Sequence, residues 1–116
     1  MVTIPVADYA DHGYCVDPAD GDRLYQVVAA EVAASHRVVL DLSGVHDLTS
    51  GFVNAAVGRL YGDSDAAVLD GLLGVAGGTE TQRFVWRRSI ERAQAYFADR
   101  ARFERVEREL VSAHAA

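Results

Sequence analysis

Apolar residues along the chain switch between two spacings, one fitting a strand and the other a helix. Val2, Ile4 and Val6 fall on alternate positions, which predicts a short strand over residues 2–7, with residues 13–16 placed to return as its partner. A turn at Asp17-Pro18-Ala19-Asp20-Gly21-Asp22 leads into a helix with Asp20 or Asp22 as N-cap. Its apolar stripe is Leu24, Val27, Val28 and Val32, and it runs to about residue 35. Arg37-Val38-Val39-Leu40-Asp41-Leu42 is short, β-branched and uninterrupted, as a buried strand is. Val53, Ala56, Val57, Leu60 and Tyr61 then follow the i, i+3, i+4, i+7, i+8 template of an amphipathic helix, which Gly62 ends.

Residues 63–70 read as a polar connection or short helical turn, and residues 72–76 as a second core strand closed by Gly77-Gly78. Thr79-Glu80-Thr81-Gln82 fits a capping box ahead of a helix that buries Trp86, Ile90, Ala93 and Phe97. That stripe loses phase across Asp99-Arg100, and Phe103, Val106 and Leu110 begin another. The spacing therefore predicts a kink or a separate last helix over about residues 101–113. Strands alternating with helices give an α/β fold, a small mostly parallel or mixed β-sheet covered by α-helices and followed by an Arg-rich C-terminal helical segment. With no internal repeat or linker, residues 1–116 form one domain with its core at about 20–98.

Charge sharpens this picture. All 11 basic residues are Arg, so every mechanism needing a side-chain amine is excluded, from the P-loop lysine to Schiff-base chemistry. Residues 1–82 hold 3 Arg against 12 acids, and residues 83–116 hold 8 Arg against 5 acids. The net charge of −6 argues against nucleic acid as a partner. Cys15 is the single cysteine, and His12, His36 and His114 lack metal-ligand spacing, so no metal or cofactor is expected. No apolar run approaches the roughly 20 residues that span a bilayer, and the N-terminus has no signal-peptide pattern; the expected location is cytoplasmic.

Candidate chemistry concentrates just past a strand end, where Asp41, Ser43, His46, Asp47, Thr49 and Ser50 lead into a helix start. There free amides and the helix dipole favour an anion on or near a hydroxyl. A nucleophile elbow is the enzymatic version of this topology, with His46 and Asp47 as base and orienter. However, Leu48 and Phe52 stand where its glycines belong, so no catalysis is expected. Asp17, Asp20 and Asp22 do not have calcium-loop offsets. A second candidate is the turn Gly77-Gly78-Thr79, which with Arg83 and Arg87 from the following helix is placed to bind an anion such as a nucleotide phosphate.

Val-Val-Leu-Asp-Leu-Ser-Gly-Val at positions 38–45 and His-Asp-Leu-Thr-Ser-Gly-Phe at 46–52 resemble the signature of STAS domains, the anti-sigma-factor antagonist fold. The likeness is nearer to the STAS-like domain-of-unknown-function family and extends over roughly residues 20–98. In STAS antagonists an Asp-Ser helix start carries a serine phosphorylated by a GHKL-type ATPase that also serves as an anti-sigma factor. By position the serine falls on Ser50, the aspartate on Thr49 and the following small-Gly pair on Gly51-Phe52. The resemblance implies a non-catalytic regulatory interaction module with Ser50 as phosphoacceptor and Asp47, Thr49, Ser50, Gly51 and Phe52 as partner-binding surface. The alternatives are a nucleotide- or phosphate-ligand sensor using the Gly77-Gly78-Thr79 turn, and a homo-oligomeric scaffold, such as a homodimer, joined through Phe103, Val106 and Leu110.

Overall fold

In the computed structural model, which describes residues 1–115 and side chains through residue 110, the chain opens with β1 (Val2–Pro5). Two short 3-10 turns, Val6–Tyr9 and Asp11–Gly13, lead to β2 (Tyr14–Cys15). Next come α1 (Pro18–Ala33), β3 (Val38–Asp41), β4 (Asp47–Leu48) and α2 (Ser50–Ala56). A 3-10 segment (Gly58–Gly62), α3 (Ala66–Leu72), β5 (Leu73–Ala76) and α4 (Glu80–Ala115) complete it.

The α/β expectation holds, with a sheet of order β1-β3-β5 whose pairs are all parallel. Ile4 lies opposite Leu40, which lies opposite Val75. Residues 13–16 do not return on β1. Instead β2 pairs in parallel with β4 as a separate two-stranded sheet, Cys15 opposite Leu48. The reason lies in Gly13, whose φ of +74 turns the chain and whose missing Cβ leaves room for the Gly44 carbonyl. The His46 amide donates to the Gly13 carbonyl at 2.8 Å and the Thr49 amide to the Cys15 carbonyl at 3.1 Å, so this segment is fastened to the loop after β3.

The core centres on Ile4, Val6, Leu24, Val28, Leu40, Phe52, Val53 and Trp86. Asp17, rather than Asp20 or Asp22, caps α1, because Pro18 supplies a preset first helical residue and the Asp17 carboxylate accepts the Ala19 amide at 2.9 Å. Asp20 and Asp22 instead face Arg23 and Arg59 at 2.6 and 3.6 Å. α1 approaches α2 closely at Gly21, where a Cβ would lie 2.6 Å from the Phe52 carbonyl oxygen. The apolar stripe from Val53 to Tyr61 is buried as expected, yet the α-helix stops at Ala56 and tightens into a 3-10 turn at Gly58, a common helix ending. Gly62 therefore closes the 3-10 turn, not an α-helix. Asp65 caps α3, accepting from the amides of Ala67 and Val68.

The capping box ahead of α4 forms: the Gln82 amide donates to Thr79 Oγ1 at 3.1 Å and the Thr79 amide to Gln82 Oε1 at 3.0 Å. The break expected at Asp99-Arg100 is absent, and α4 is one helix. Every residue from Ala98 to Leu110 is exposed. The stripe loses phase there because none of these side chains is buried, so no close packing fixes which face must be apolar. Among the described residues no helix is long and apolar enough to cross a membrane.

Candidate functional site

The loop between β3 and α2 is braced at nearly every residue. The Asp41 carboxylate accepts the Ser43 amide at 2.9 Å, and that bond together with the Ser43 hydroxyl holds its carboxyl below the usual range. Gly44 turns with φ +80, and the carbonyl of buried Val45 accepts Gln82 Nε2 at 2.9 Å, tying the loop to the first turn of α4. The His46 ring lies against Tyr14 with centroids 4.6 Å apart. Asp47 is exposed, and its carboxylate accepts the Leu48 amide at 2.9 Å. Among the described residues no hydrogen bond joins Ser50, His46 and Asp47.

Thr49 is the N-cap of α2. Its hydroxyl accepts the Phe52 amide at 3.3 Å and donates to the Val16 carbonyl at 3.1 Å, so one side chain both starts the helix and ties it to the N-terminal segment. Ser50 is thereby the first helical residue, and it and Gly51 are exposed. Phe52 is not a surface residue: it is fully buried, because helical geometry turns it onto the face that meets α1 and the sheet. It supports the backbone of the helix start from beneath.

Ser50 lines a shallow recess of about 340 Å³ with Leu48 from β4 and with Phe84, Val85, Arg88, Ser89 and Arg92 from α4. The floor is apolar, and Ser89 is satisfied by donating to the Val85 carbonyl at 2.8 Å. Arg88 lies 3.5 Å from Glu91 in an exposed pair of little energetic weight. Arg92 faces no carboxylate within ion-pair distance among the described residues. Sequence reasoning did not attach these two guanidiniums to Ser50. Their i, i+4 spacing places them on one face, but only the packing of α2 on α4 shows which surface that face meets.

The second candidate turn is arranged differently. Gly77 and Gly78 have φ of +68 and +69, and a Cβ on Gly77 would collide with the Asp41 carboxylate and the Ser43 hydroxyl. The Arg83 guanidinium donates to the carbonyls of both glycines, at 3.0 and 2.9 Å, and Thr79 is engaged with Gln82. A carboxylate therefore sits beside the turn, and the Arg83 guanidinium is engaged with its carbonyls. Arg87 lies elsewhere, at the rim of a recess of about 260 Å³ floored by Leu40, Trp86 and Ile90. At the edge of that recess Tyr61 donates to Asp70 at 2.9 Å, and burial, more than the neighbouring Asp70, pushes its phenol well above the ordinary range. Cys15 is buried, and its thiol is pushed up to about 11, first by burial and then by Asp20. No group of three metal-binding side chains occurs among the described residues, and the His114 side chain lies outside them.

A family model described as a STAS-like domain of unknown function (DUF4325) matches residues 20–83. The chain belongs to this STAS-like family. The match covers α1, β3, the braced loop, α2, β5 and the first residues of α4, and it ends short of the expected residue 98. No curated protein and no solved structure matches the chain. Within the STAS-like match lie Asp41, Thr49 and Ser50, whereas the arginines that share the Ser50 recess lie beyond it.

Proposed function

We propose that this STAS-like domain is a non-catalytic, cytoplasmic partner switch resembling an anti-sigma-factor antagonist, with Ser50 as phosphoacceptor and a GHKL-type ATPase as kinase and partner. The observation that carries the reading is the recess: an exposed serine at the first position of a helix, facing Arg88 and Arg92. Transfer of the γ-phosphoryl of ATP to Ser50 Oγ releases ADP and the hydroxyl proton and adds about −1.5 to −2 charges. Two guanidiniums beside that group receive it as charge-assisted hydrogen bonds, and the surface offered to the partner changes from basic and apolar to neutral and filled. Thr49 supports the same reading, because it caps the helix as an aspartate would while leaving one negative charge fewer beside Ser50.

The surface offered to the partner is then Asp47, Thr49, Ser50 and Gly51, with Phe84, Arg88 and Arg92 as its far wall. The test uses the full chain with the GHKL-type ATPase it captures, ATP and mass spectrometry. Phosphate is expected on Ser50 and on no residue of the Ser50→Ala variant, and Ser50→Asp is expected to bind that ATPase at least tenfold more weakly. If Ser50 stays unmodified and Ser50→Asp binds as well as the wild type, the switch is refuted.

A further inference from the structure

The half of α4 that leaves the body has a pattern of its own. The molecule measures 59 × 26 × 23 Å, and a 36-residue helix at about 1.5 Å per residue accounts for nearly all of the long axis. Tyr96, at the edge of the body, and Phe103, Val106 and Leu110 on the projecting part are 61%, 69%, 46% and 59% exposed. Tyr96, Phe103 and Leu110 repeat every seven residues, and Asp99 and Val106 repeat between them, the alternating 3-4 spacing of a coiled-coil seam. A seam this narrow fits one facing helix, not a broad apolar surface.

The flanking charges identify the occupant. Beside the seam stand Arg100 and Arg102 toward the body and Glu107 and Glu109 toward the C-terminus. We propose that α4 pairs with α4 of a second copy as an antiparallel two-stranded coiled coil, Phe103 of each chain packing on Val106 of the other. In that register Arg100 meets Glu107 and Arg102 meets Glu109 of the second copy, and the two-fold axis repeats both pairs. A parallel pair would set Asp99 on Asp99 inside the seam. An antiparallel pair slipped by one heptad would set Glu107 on Glu107 and Glu109 on Glu109. Both alternatives bring like charges together: Asp99 in the seam selects against the parallel orientation, and the e and g charges select against the slipped register. The pairs now made within the helix, Arg102 to Asp99 at 3.2 Å and Arg100 to Glu104 at 3.1 Å, are exposed, and exchanging them costs little.

The overlap is about 20 Å long, shorter than a standard interface, so the dimer is weak and concentration-dependent. Sedimentation equilibrium of the full chain, up to about 1 mM, is expected to show reversible monomer–dimer exchange. Phe103→Asp with Val106→Asp is expected to abolish it without changing the thermal unfolding of the body, since neither side chain packs there. Arg100→Glu/Arg102→Glu and Glu107→Arg/Glu109→Arg are each expected to weaken self-association at least tenfold. Mixing the two variants is expected to restore pairing as a heterodimer, which also shows that neither has merely lost its helix. A spin label on Ala98→Cys reports orientation, with about 20 Å along the axis expected between copies, against the roughly 10 Å interhelical spacing of a parallel pair. A monomer at every concentration, a dimer indifferent to the seam substitutions, or mixed charge variants that stay monomeric would overturn the proposal. The short label distance would overturn the antiparallel arrangement.

Discussion

Replacing Gly21 by Ala is the sharpest test of how α1 carries α2. In an exposed helix this change stabilises by about 1 kcal/mol, because Gly costs more backbone entropy than Ala. Here the added methyl would sit 2.6 Å from the Phe52 carbonyl oxygen and 2.9 Å from Ala55 Cβ. Neither atom can rotate away, so relief to the 3.4 Å of ordinary contact means moving the helices apart by about 0.8 Å. Overpacking of this kind costs typically 1–3 kcal/mol, occasionally more. Both close contacts are with atoms that cannot rotate away, so the upper part of that range, about 2–3 kcal/mol, applies. With the propensity gain of about 1 kcal/mol subtracted, Gly21→Ala is expected to destabilise by about 1–2 kcal/mol, a fall in melting temperature of roughly 3–8 °C for a chain of this size. Gly71→Ala is the matched control, since nothing lies within 4 Å of its added methyl. It is expected to raise stability by up to about 1 kcal/mol. Urea unfolding followed by far-UV circular dichroism measures both. A Gly21→Ala protein as stable as the wild type, or more so, would show that α1 and α2 are not in such close contact and would remove the platform assumed under Ser50.

Thr49→Ala removes the cap and the tie to Val16 together and is expected to cost about 1–2 kcal/mol in urea unfolding, with Thr49→Ser near wild type. The folded Asp41 carboxyl titrates below its unfolded value of about 3.9. Its contribution is therefore complete above that value and fades as the pH falls through the lower folded one, and melting temperatures of Asp41→Asn are expected to fall less steeply over that acid range. Cys15 is raised from 9.0 to about 11, so its neutral thiol stabilises the fold below pH 9 and that contribution is lost as the pH climbs toward 11. At pH 8 an aromatic disulfide reagent is expected to modify Cys15 only after denaturant is added, and rapid stoichiometric reaction of the folded chain would contradict its burial.

Much of this fold could be read along the chain because its strongest signals are local. The β-branched run at β3, the Thr79-Gln82 box and the buried stripe from Val53 to Tyr61 each depend on neighbours a few residues away. The partner of Tyr14–Cys15 could not be read so, because it is set by Gly44, His46 and Thr49 some thirty positions later, through a steric gap at Gly13 and two backbone bonds. The α1 cap lies three to five residues from the expected Asp20 or Asp22, because three acids crowd one turn and Pro18 decides among them. At the candidate site, Thr49 and Ser50 were legible from the strand-loop-helix order. The cations facing Ser50 were not, since Arg83, Arg87, Arg88 and Arg92 all look alike in sequence.

What separates those four arginines is the phase of α4 against the body. Arg83 turns back to hold the carbonyls of Gly77 and Gly78, Arg87 borders the recess over Trp86, and Arg88 and Arg92 share the recess of Ser50. Farther along, Arg100 and Arg102 flank the exposed stripe of Phe103, Val106 and Leu110, and Arg100 also lines a recess with Asp63 and Asp65. An absence of lysine therefore does not mean one uniform basic helix. The same residue serves as a turn clamp, a pair beside Ser50 and a flank to an apolar stripe, according to which surface each helical turn meets. The clamp lies inside the STAS-like match and the pair beside Ser50 outside it, so the loop presenting the serine falls within the family match while the positive charge beside it is supplied by the helix that follows.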